Sequence, residues 1–131
     1  MKVKLAKLEL VKEDYLLFGS VPMLIYELIE GVNDIDILAR GQAWEQALKI
    51  GTLNNAPKGD EVIAISNDID IYNGWMGESV DALFERATMV EGFKVASLED
   101  VLAYKLELNR DKDQPHIALL REVLKKPPPL S

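Results

Sequence analysis

The pentapeptide NDIDI occurs twice in this chain, at Asn33–Ile37 and at Asn67–Ile71. In each copy aspartate alternates with isoleucine, which is the period-two pattern of a strand with one apolar and one polar face. In the first copy Asp34 and Asp36 share the polar face, with their backbones roughly 7 Å apart. The residues around the two copies do not align, so the repetition is local and does not indicate an array of structural repeats.

Asp34 and Asp36 repel each other unless a cation lies between them. Because the chain has one histidine and no cysteine, the oxygen ligands favour Mg²⁺ or Mn²⁺. Asp70, in the second copy, can add a third carboxylate from a neighbouring strand, as in a two-metal site for phosphoryl transfer. Asp68 has the same parity as Asp70, so the strand register decides between them. The alternative for a D-x-D pattern alone is a solvated strand face.

The apolar run Tyr15–Phe18 stops at Gly19 and Ser20, and Pro22 then opens a helical apolar pattern. This order predicts a strand, a tight turn and a helix. A glycine turn at a helix N-terminus presents free backbone N–H groups, and the Ser20 hydroxyl adds another donor, which together suit a phosphate. The alternative is that Ser20 only caps the helix.

The rest of the chain alternates between helix and strand patterns, and residues 52–60 are predicted to form a loop. A capping box, SLED, predicts the start of a helix at Ser97. Together the patterns predict one domain over residues 1–131, an α/β (α+β) fold with about four strands. Three prolines predict a flexible tail over residues 125–131.

The composition excludes several classes of protein. Fifteen Lys and Arg against twenty-two Asp and Glu give a net charge of −7, which argues against broad binding to nucleic acid or to an anionic membrane. The absence of cysteine excludes disulfides and makes a cytoplasmic location the default expectation. We expect no signal peptide and no membrane span, because the start of the chain is interrupted by charge and no apolar run is long enough.

Three of these motifs together resemble a known signature. LLFGS (Leu16–Ser20), DIDIL (Asp34–Leu38) and IDIY (Ile69–Tyr72) resemble the Gly-Ser turn, D-x-D strand and third carboxylate of the DNA polymerase β-like nucleotidyltransferase superfamily. The C-terminal half, Phe84–Leu120, with its RDKD turn, is similar to small prokaryotic nucleotidyltransferase-like proteins. These include proteins related to toxin components of toxin–antitoxin systems.

The resemblance implies a nucleotidyltransferase fold, a small mixed β-sheet flanked by helices. It also implies a Mg²⁺-dependent (or Mn²⁺-dependent) enzyme that moves a nucleoside monophosphate from a nucleoside triphosphate to an acceptor hydroxyl and releases pyrophosphate. The implied catalytic and metal-binding residues are Asp34, Asp36 and Asp70. The implied nucleotide-binding residues are Gly19, Ser20, Lys105, Arg110 and Lys112. The acceptor is not identified, and a homodimer or an antitoxin-like protein partner is compatible with the small size and exposed strand edges.

Several departures keep alternatives open. Relatives often carry an Arg and a Thr or Ser shortly before D-x-D, whereas residues 27–33 read ELIEGVN. This favours an alternative in which the chain is a weak or inactive module that binds nucleotide or a protein partner. A third hypothesis is a purely structural cation site. Trp75 is a candidate ligand contact, His116 is interpreted as a structural histidine, and the alternative for the RDKD turn is a self-balanced charged surface.

Overall fold

A computed structural model describes residues 5, 8–55, 60–74 and 78–125, and it contains a seven-stranded sheet. The strands are β1 Tyr15–Phe18, β2 Ile35–Ala39, β3 Thr52–Asn55, β4 Glu61–Ser66, β5 Ile69–Tyr72, β6 Thr88–Val90 and β7 Phe93–Val95. Their order across the sheet is β3-β4-β5-β2-β1-β7-β6. The β2–β5 and β1–β7 pairs are parallel and the other neighbours are antiparallel. The predicted fold class, a mixed sheet flanked by helices, is therefore confirmed.

The prediction of about four strands was too low for this seven-stranded sheet, and the missed strands include the two at its edges. β3 lies in the stretch predicted as a loop, and β6 follows directly after a helix. All four residues of β3 are exposed, and none of the three in β6 is buried. A short edge strand without a buried face needs no apolar alternation, so turn-forming residues such as Asn54 and Asn55 conceal it from a pattern search.

In the continuous described stretches, five α-helices pack on the sheet: α1 Val21–Ile25, α2 Gly41–Leu48, α3 Val80–Arg86, α4 Leu98–Leu108 and α5 Gln114–Lys125. The Ser97 hydroxyl accepts a hydrogen bond from the Asp100 backbone N–H, as the capping box predicted. In the part of the chain that the structure describes, no helix is long and apolar enough to cross a membrane. The predicted tail lies outside the described residues, except for Lys125, which ends α5.

The helix α1 is shorter than the apolar spacing predicted. The helical apolar pattern that follows Pro22 in the sequence consists of Leu24, Ile25, Leu28 and Ile29. The helix ends at Ile25 because Glu27 adopts a φ of 61° and the backbone N–H groups of Glu27 and Leu28 donate to the Leu24 and Met23 carbonyls. This is the hydrogen-bond pattern of a Schellman motif. Leu28 and Ile29 are partly buried and still pack against the core.

The two faces of the sheet pack against different helices. On the first face, Leu17, Ile35 and Ile37 form a core with residues of α2, namely Ala43 and Ala47. On the second face, a core forms between the sheet and helices α3, α4 and α5, with members Leu16, Phe18, Leu38, Leu83, Val101 and Leu120. Side chains alternate along a strand, so Asp36 lies on the second face, beneath these helices. The carboxylate is therefore placed on the face that three helices cover.

Candidate functional site

The turn between β1 and α1 lies directly against the Asp36 side chain. Phe18 pairs with Asp36 across the antiparallel strands β1 and β2. Gly19 follows with a φ of 64°, and a Cβ added there would collide with the Asp36 carboxylate oxygen Oδ2. Both the left-handed backbone and the lack of space require glycine at this position. The structure therefore gives Gly19 a steric role, which lets the turn approach Asp36.

The register of the parallel strands β2 and β5 brings the two NDIDI copies side by side. Asp36 pairs with Asp70, and Ile37 pairs with Ile71. Residues paired in this way project from the same face of adjacent strands about 4.8 Å apart. Asp34 precedes β2 by one residue. We refer to Asp34, Asp36 and Asp70 as the carboxylate cluster.

Asp68, the first aspartate of the second copy, lies outside the strand. β4 and β5 are joined by a two-residue turn at Asn67 and Asp68. The Ser66 hydroxyl donates to Asp68 Oδ1 at 2.7 Å, and the Asp68 carbonyl accepts a hydrogen bond from the Ile35 N–H. Of the two aspartates in this copy, Asp70 is therefore the one placed beside Asp36.

The carboxylate cluster is electrostatically unfavourable as it stands. Burial, together with the charges of Asp70 and Asp34, raises the pKa of Asp36 from 3.8 to about 6. Burial and the Asp34 charge also raise the pKa of Asp70. Among the described residues, none forms a salt bridge with any member of the cluster. A bound cation would therefore offset both the cost of burying the charged carboxylates and their mutual repulsion.

Opposite the cluster, Lys105 of α4 is 2% exposed. Its Nζ donates to Ser20 Oγ at 2.8 Å and lies 3.6 Å from Asp113 Oδ1. Burial lowers the pKa of Lys105, although the Asp113 carboxylate opposes that shift. The Ser20 hydroxyl makes no capping hydrogen bond with α1. It therefore connects the β1–α1 turn to α4 and does not act as a cap.

Asp113 also belongs to the site, although the sequence indicates it only as a possible counter-charge in the RDKD turn. It is 1% exposed, and its two oxygens accept hydrogen bonds from Arg110 Nε at 2.7 Å and Nη2 at 3.0 Å. Burial alone would raise the pKa of Asp113, but the hydrogen bonds from Arg110 hold it below its usual value. Asp113 therefore positions both Lys105 and Arg110. An available signal was its position three residues after Arg110, within reach of that side chain in the same turn.

Acidic and basic side chains line the same cavity, which has a volume of about 320 Å³. Asp34 and Asp36 line it on the sheet side, and we refer to Lys105, Arg110 and Lys112, which line it from α4 and the following turn, as the basic cluster. Other lining residues include Ser20, Asn33, Tyr104, Asp113 and His116. Of the residues predicted from the sequence, Gly19 and Asp70 do not line it. Trp75 lies outside the described residues.

The donor set suits a hard divalent cation, although the protein supplies only part of a coordination shell. Within residues 5, 8–55, 60–74 and 78–125, no group of three or more His, Cys, Asp or Glu side chains is arranged to hold a metal. Mg²⁺ is commonly bound by one or two carboxylates, with substrate phosphates and water completing the shell. Asp34 and Asp36, both facing the cavity, fit that mode of binding.

Comparison with known proteins supports the fold. No family model and no curated protein matches the chain. A crystal structure of a protein from Thermotoga maritima, described provisionally as a nucleotidyltransferase, is similar to this chain with 19% identity and a TM-score of 0.54. The match covers 85% of this chain and 81% of that one. The chain therefore has a nucleotidyltransferase-like fold.

Proposed function

We propose that this chain binds a nucleoside triphosphate with a divalent cation and transfers the nucleoside monophosphate to an acceptor hydroxyl. The observation that carries the proposal is the pairing of opposite charges in one cavity, Asp34 and Asp36 on one side and Lys105 and Arg110 on the other. A metal-bound triphosphate carries the complementary charges, a cation next to a row of anionic oxygens. The cavity volume also falls within the roughly 300–1,000 Å³ of small-molecule sites.

The basic cluster would bind the triphosphate oxygens. Arg110 offers a planar fork that suits phosphate, and Lys105 offers a fixed point charge. The Ser20 hydroxyl accepts from Lys105, which leaves its own O–H free to donate to a phosphate oxygen. These groups would hold the substrate in one orientation, which is the main requirement of phosphoryl transfer.

Asp34 and Asp36 would hold Mg²⁺ or Mn²⁺, and the ion would supply charge neutralisation at the phosphates. Asp70, which lies beside Asp36 and has a raised pKa, would accept the proton of the acceptor hydroxyl. The acceptor oxygen then bonds to the α-phosphorus, the bond from that phosphorus to the β-phosphate oxygen breaks, and pyrophosphate leaves. A homodimer or an antitoxin-like protein partner stays a prediction from the sequence.

A second candidate is a module that binds nucleotide without turnover. It is favoured by the position of Asp70, which lies beside Asp36 but does not line the cavity. Without a third carboxylate near the triphosphate, the metal would bind but the acceptor would not be deprotonated efficiently. This candidate retains the same nucleotide site and loses only the chemistry.

Label transfer separates the two candidates. The protein is incubated with α-labelled triphosphates, Mg²⁺ and a panel of RNA, proteins and small alcohols, and both label transfer and pyrophosphate release are measured. We expect transfer that Asp36→Ala abolishes and Asp68→Ala preserves, because Asp68 lies in the turn. Transfer that survives Asp36→Ala would overturn the mechanism. Metal-dependent binding without pyrophosphate release would favour the second candidate, and no binding would exclude both.

A further inference from the structure

His116 lines the cavity but has no role in the assignment above. It lies in the first turn of α5, close enough to Lys105 for the lysine charge to lower its pKa. Among the described residues neither ring nitrogen has a hydrogen-bond partner, and Nδ1 is the buried one. The nitrogen left accessible on this cavity-lining side chain is therefore Nε2.

The protonation of the ring follows from its surroundings. Burial lowers the pKa of His116, the Lys105 charge lowers it further, and the Asp113 charge opposes both. The imidazole is therefore neutral at neutral pH and carries one proton. A buried N–H without an acceptor is less tolerated than a bare lone pair, so the proton resides on Nε2. His116, which lines the cavity, thus carries a neutral N–H donor on its accessible nitrogen.

The neighbours of this donor indicate the chemistry of its acceptor. Lys105, Arg110 and Lys112 are donors only, and they line the cavity together with His116. The acidic neighbour, Asp113, already accepts two hydrogen bonds from Arg110 at 3.0 Å or less. A cluster of donors of this kind is matched by a ligand with several anionic oxygens, of which a triphosphate is the one proposed above.

On the basis of the proposed function, we propose that His116 is a substrate-binding residue whose Nε2–H donates a hydrogen bond to a phosphate oxygen of the triphosphate. The interaction is between a neutral donor and a charged acceptor, so it adds affinity without adding a further positive charge beside Lys105. It differs from a structural role for the histidine, in which the accessible nitrogen would have no contact with ligand.

The proton distribution on the ring can be observed directly, because His116 is the single histidine of the chain. Long-range ¹H–¹⁵N spectra of the labelled protein are recorded with Mg²⁺ and inorganic tripolyphosphate, and separately with a nucleoside lacking phosphate. In the sample with Mg²⁺ and tripolyphosphate, we expect the Nε2 resonance to shift and its proton to be protected from solvent exchange. In the sample with the nucleoside, we expect neither change. An unchanged ring signal while calorimetry detects tripolyphosphate binding would overturn the role of His116 and leave the proposed function intact. A shift produced by the nucleoside alone would also overturn it.

Two substitutions test the position of the donor. In His116→Gln the amide nitrogen falls near the position of Nε2, whereas in His116→Asn it falls near that of Nδ1. We expect tripolyphosphate to bind roughly tenfold to a hundredfold more weakly to His116→Asn, and His116→Gln to recover most of the affinity. Thermal unfolding of both variants checks that they are folded, and equal affinities would contradict the proposal. If no variant and no wild-type sample binds triphosphate, the proposed function itself fails.

Discussion

The two charged sides of the cavity are buried at different electrostatic cost. On the basic side, Lys105 and Arg110 meet a carboxylate of the protein, Asp113. On the other side, Asp36 makes no salt bridge among the described residues. Burial and the charges of Asp70 and Asp34 raise its pKa to about 6, although the charges of Arg110 and Lys105 oppose the shift. The basic side thus has a buried counter-charge within the fold, while the carboxylate side gains from a cation brought by a ligand. The difference predicts that substitutions on the basic side mainly affect folding stability. Substitutions on the carboxylate side should mainly affect the binding of a metal and its ligand.

The largest effect on stability should come from Asp113→Asn. The substitution leaves Lys105 buried without its counter-charge, which typically costs about 3–5 kcal/mol. Asp111→Asn is the matched control, because Asp111 is exposed in the same turn, and it should change the free energy of unfolding by less than about 0.5 kcal/mol. Urea unfolding measures both, and equal effects would show that Asp113 does not hold the basic side together.

Asp36→Asn should stabilise the folded chain, whereas Asp113→Asn should destabilise it. The pKa of Asp36 in the folded chain, about 6, lies above the ordinary value of 3.8. The contribution of the wild-type Asp36 side chain to stability is therefore fully present below about pH 4, and it is lost as the pH rises through about 6. In chelator at pH 8 the variant should be more stable than the wild type by roughly 2–3 kcal/mol, with little gain at pH 4. Unfolding at both pH values checks this, and a gain that is independent of pH would contradict it.

The two NDIDI copies offer a smaller and more specific test. Asp70→Ala removes a charge beside Asp36, so Mg²⁺-dependent nucleotide binding should weaken by about tenfold, or about 1.4 kcal/mol. Asp68→Ala removes only a hydrogen bond in the turn and should leave the affinity unchanged. Calorimetry with a non-hydrolysable triphosphate gives both values. Equal losses would mean that Asp68 also serves the site.

The smallest effect is expected for Ser20→Ala. The variant loses the hydrogen bond that Ser20 Oγ accepts from Lys105 at 2.8 Å, while the contact with Asp113 remains. The free energy of unfolding should fall by about 1 kcal/mol, measured by urea unfolding. A loss as large as that for Asp113→Asn would mean that Ser20, and not Asp113, is the principal partner of the buried lysine.

The parts of the fold that follow local patterns were predictable from the sequence. The alternation in Ile35–Ala39 and Ile69–Tyr72 indicated strands, and the glycine turn after Phe18 indicated a strand–turn–helix unit. These signals are strong because one face of each strand is buried, so its residue types are constrained. The edge strands β3 and β6 carry no such constraint, and their pairing with β4 and β7 is a tertiary property.

The candidate site was predictable in its residue types but not in its contacts. The carboxylates were found because D-x-D places two like charges on one face. The role of Asp113 depends on contacts with Lys105, eight residues earlier, and with Arg110, both fixed by how α4, the turn and α5 pack. The left-handed Glu27 likewise ended α1 early, because an apolar spacing does not reveal where the backbone turns.

The central claim is that the two sides of the cavity bind one metal-bound triphosphate between them. The most direct test is a crystal structure of the protein soaked with Mn²⁺ and a non-hydrolysable nucleoside triphosphate, with the ion located by its anomalous scattering. We predict Mn²⁺ at Asp34 and Asp36 and phosphate oxygens at Lys105 and Arg110. Mn²⁺ absent from Asp36, or a triphosphate bound away from Lys105, would contradict the claim.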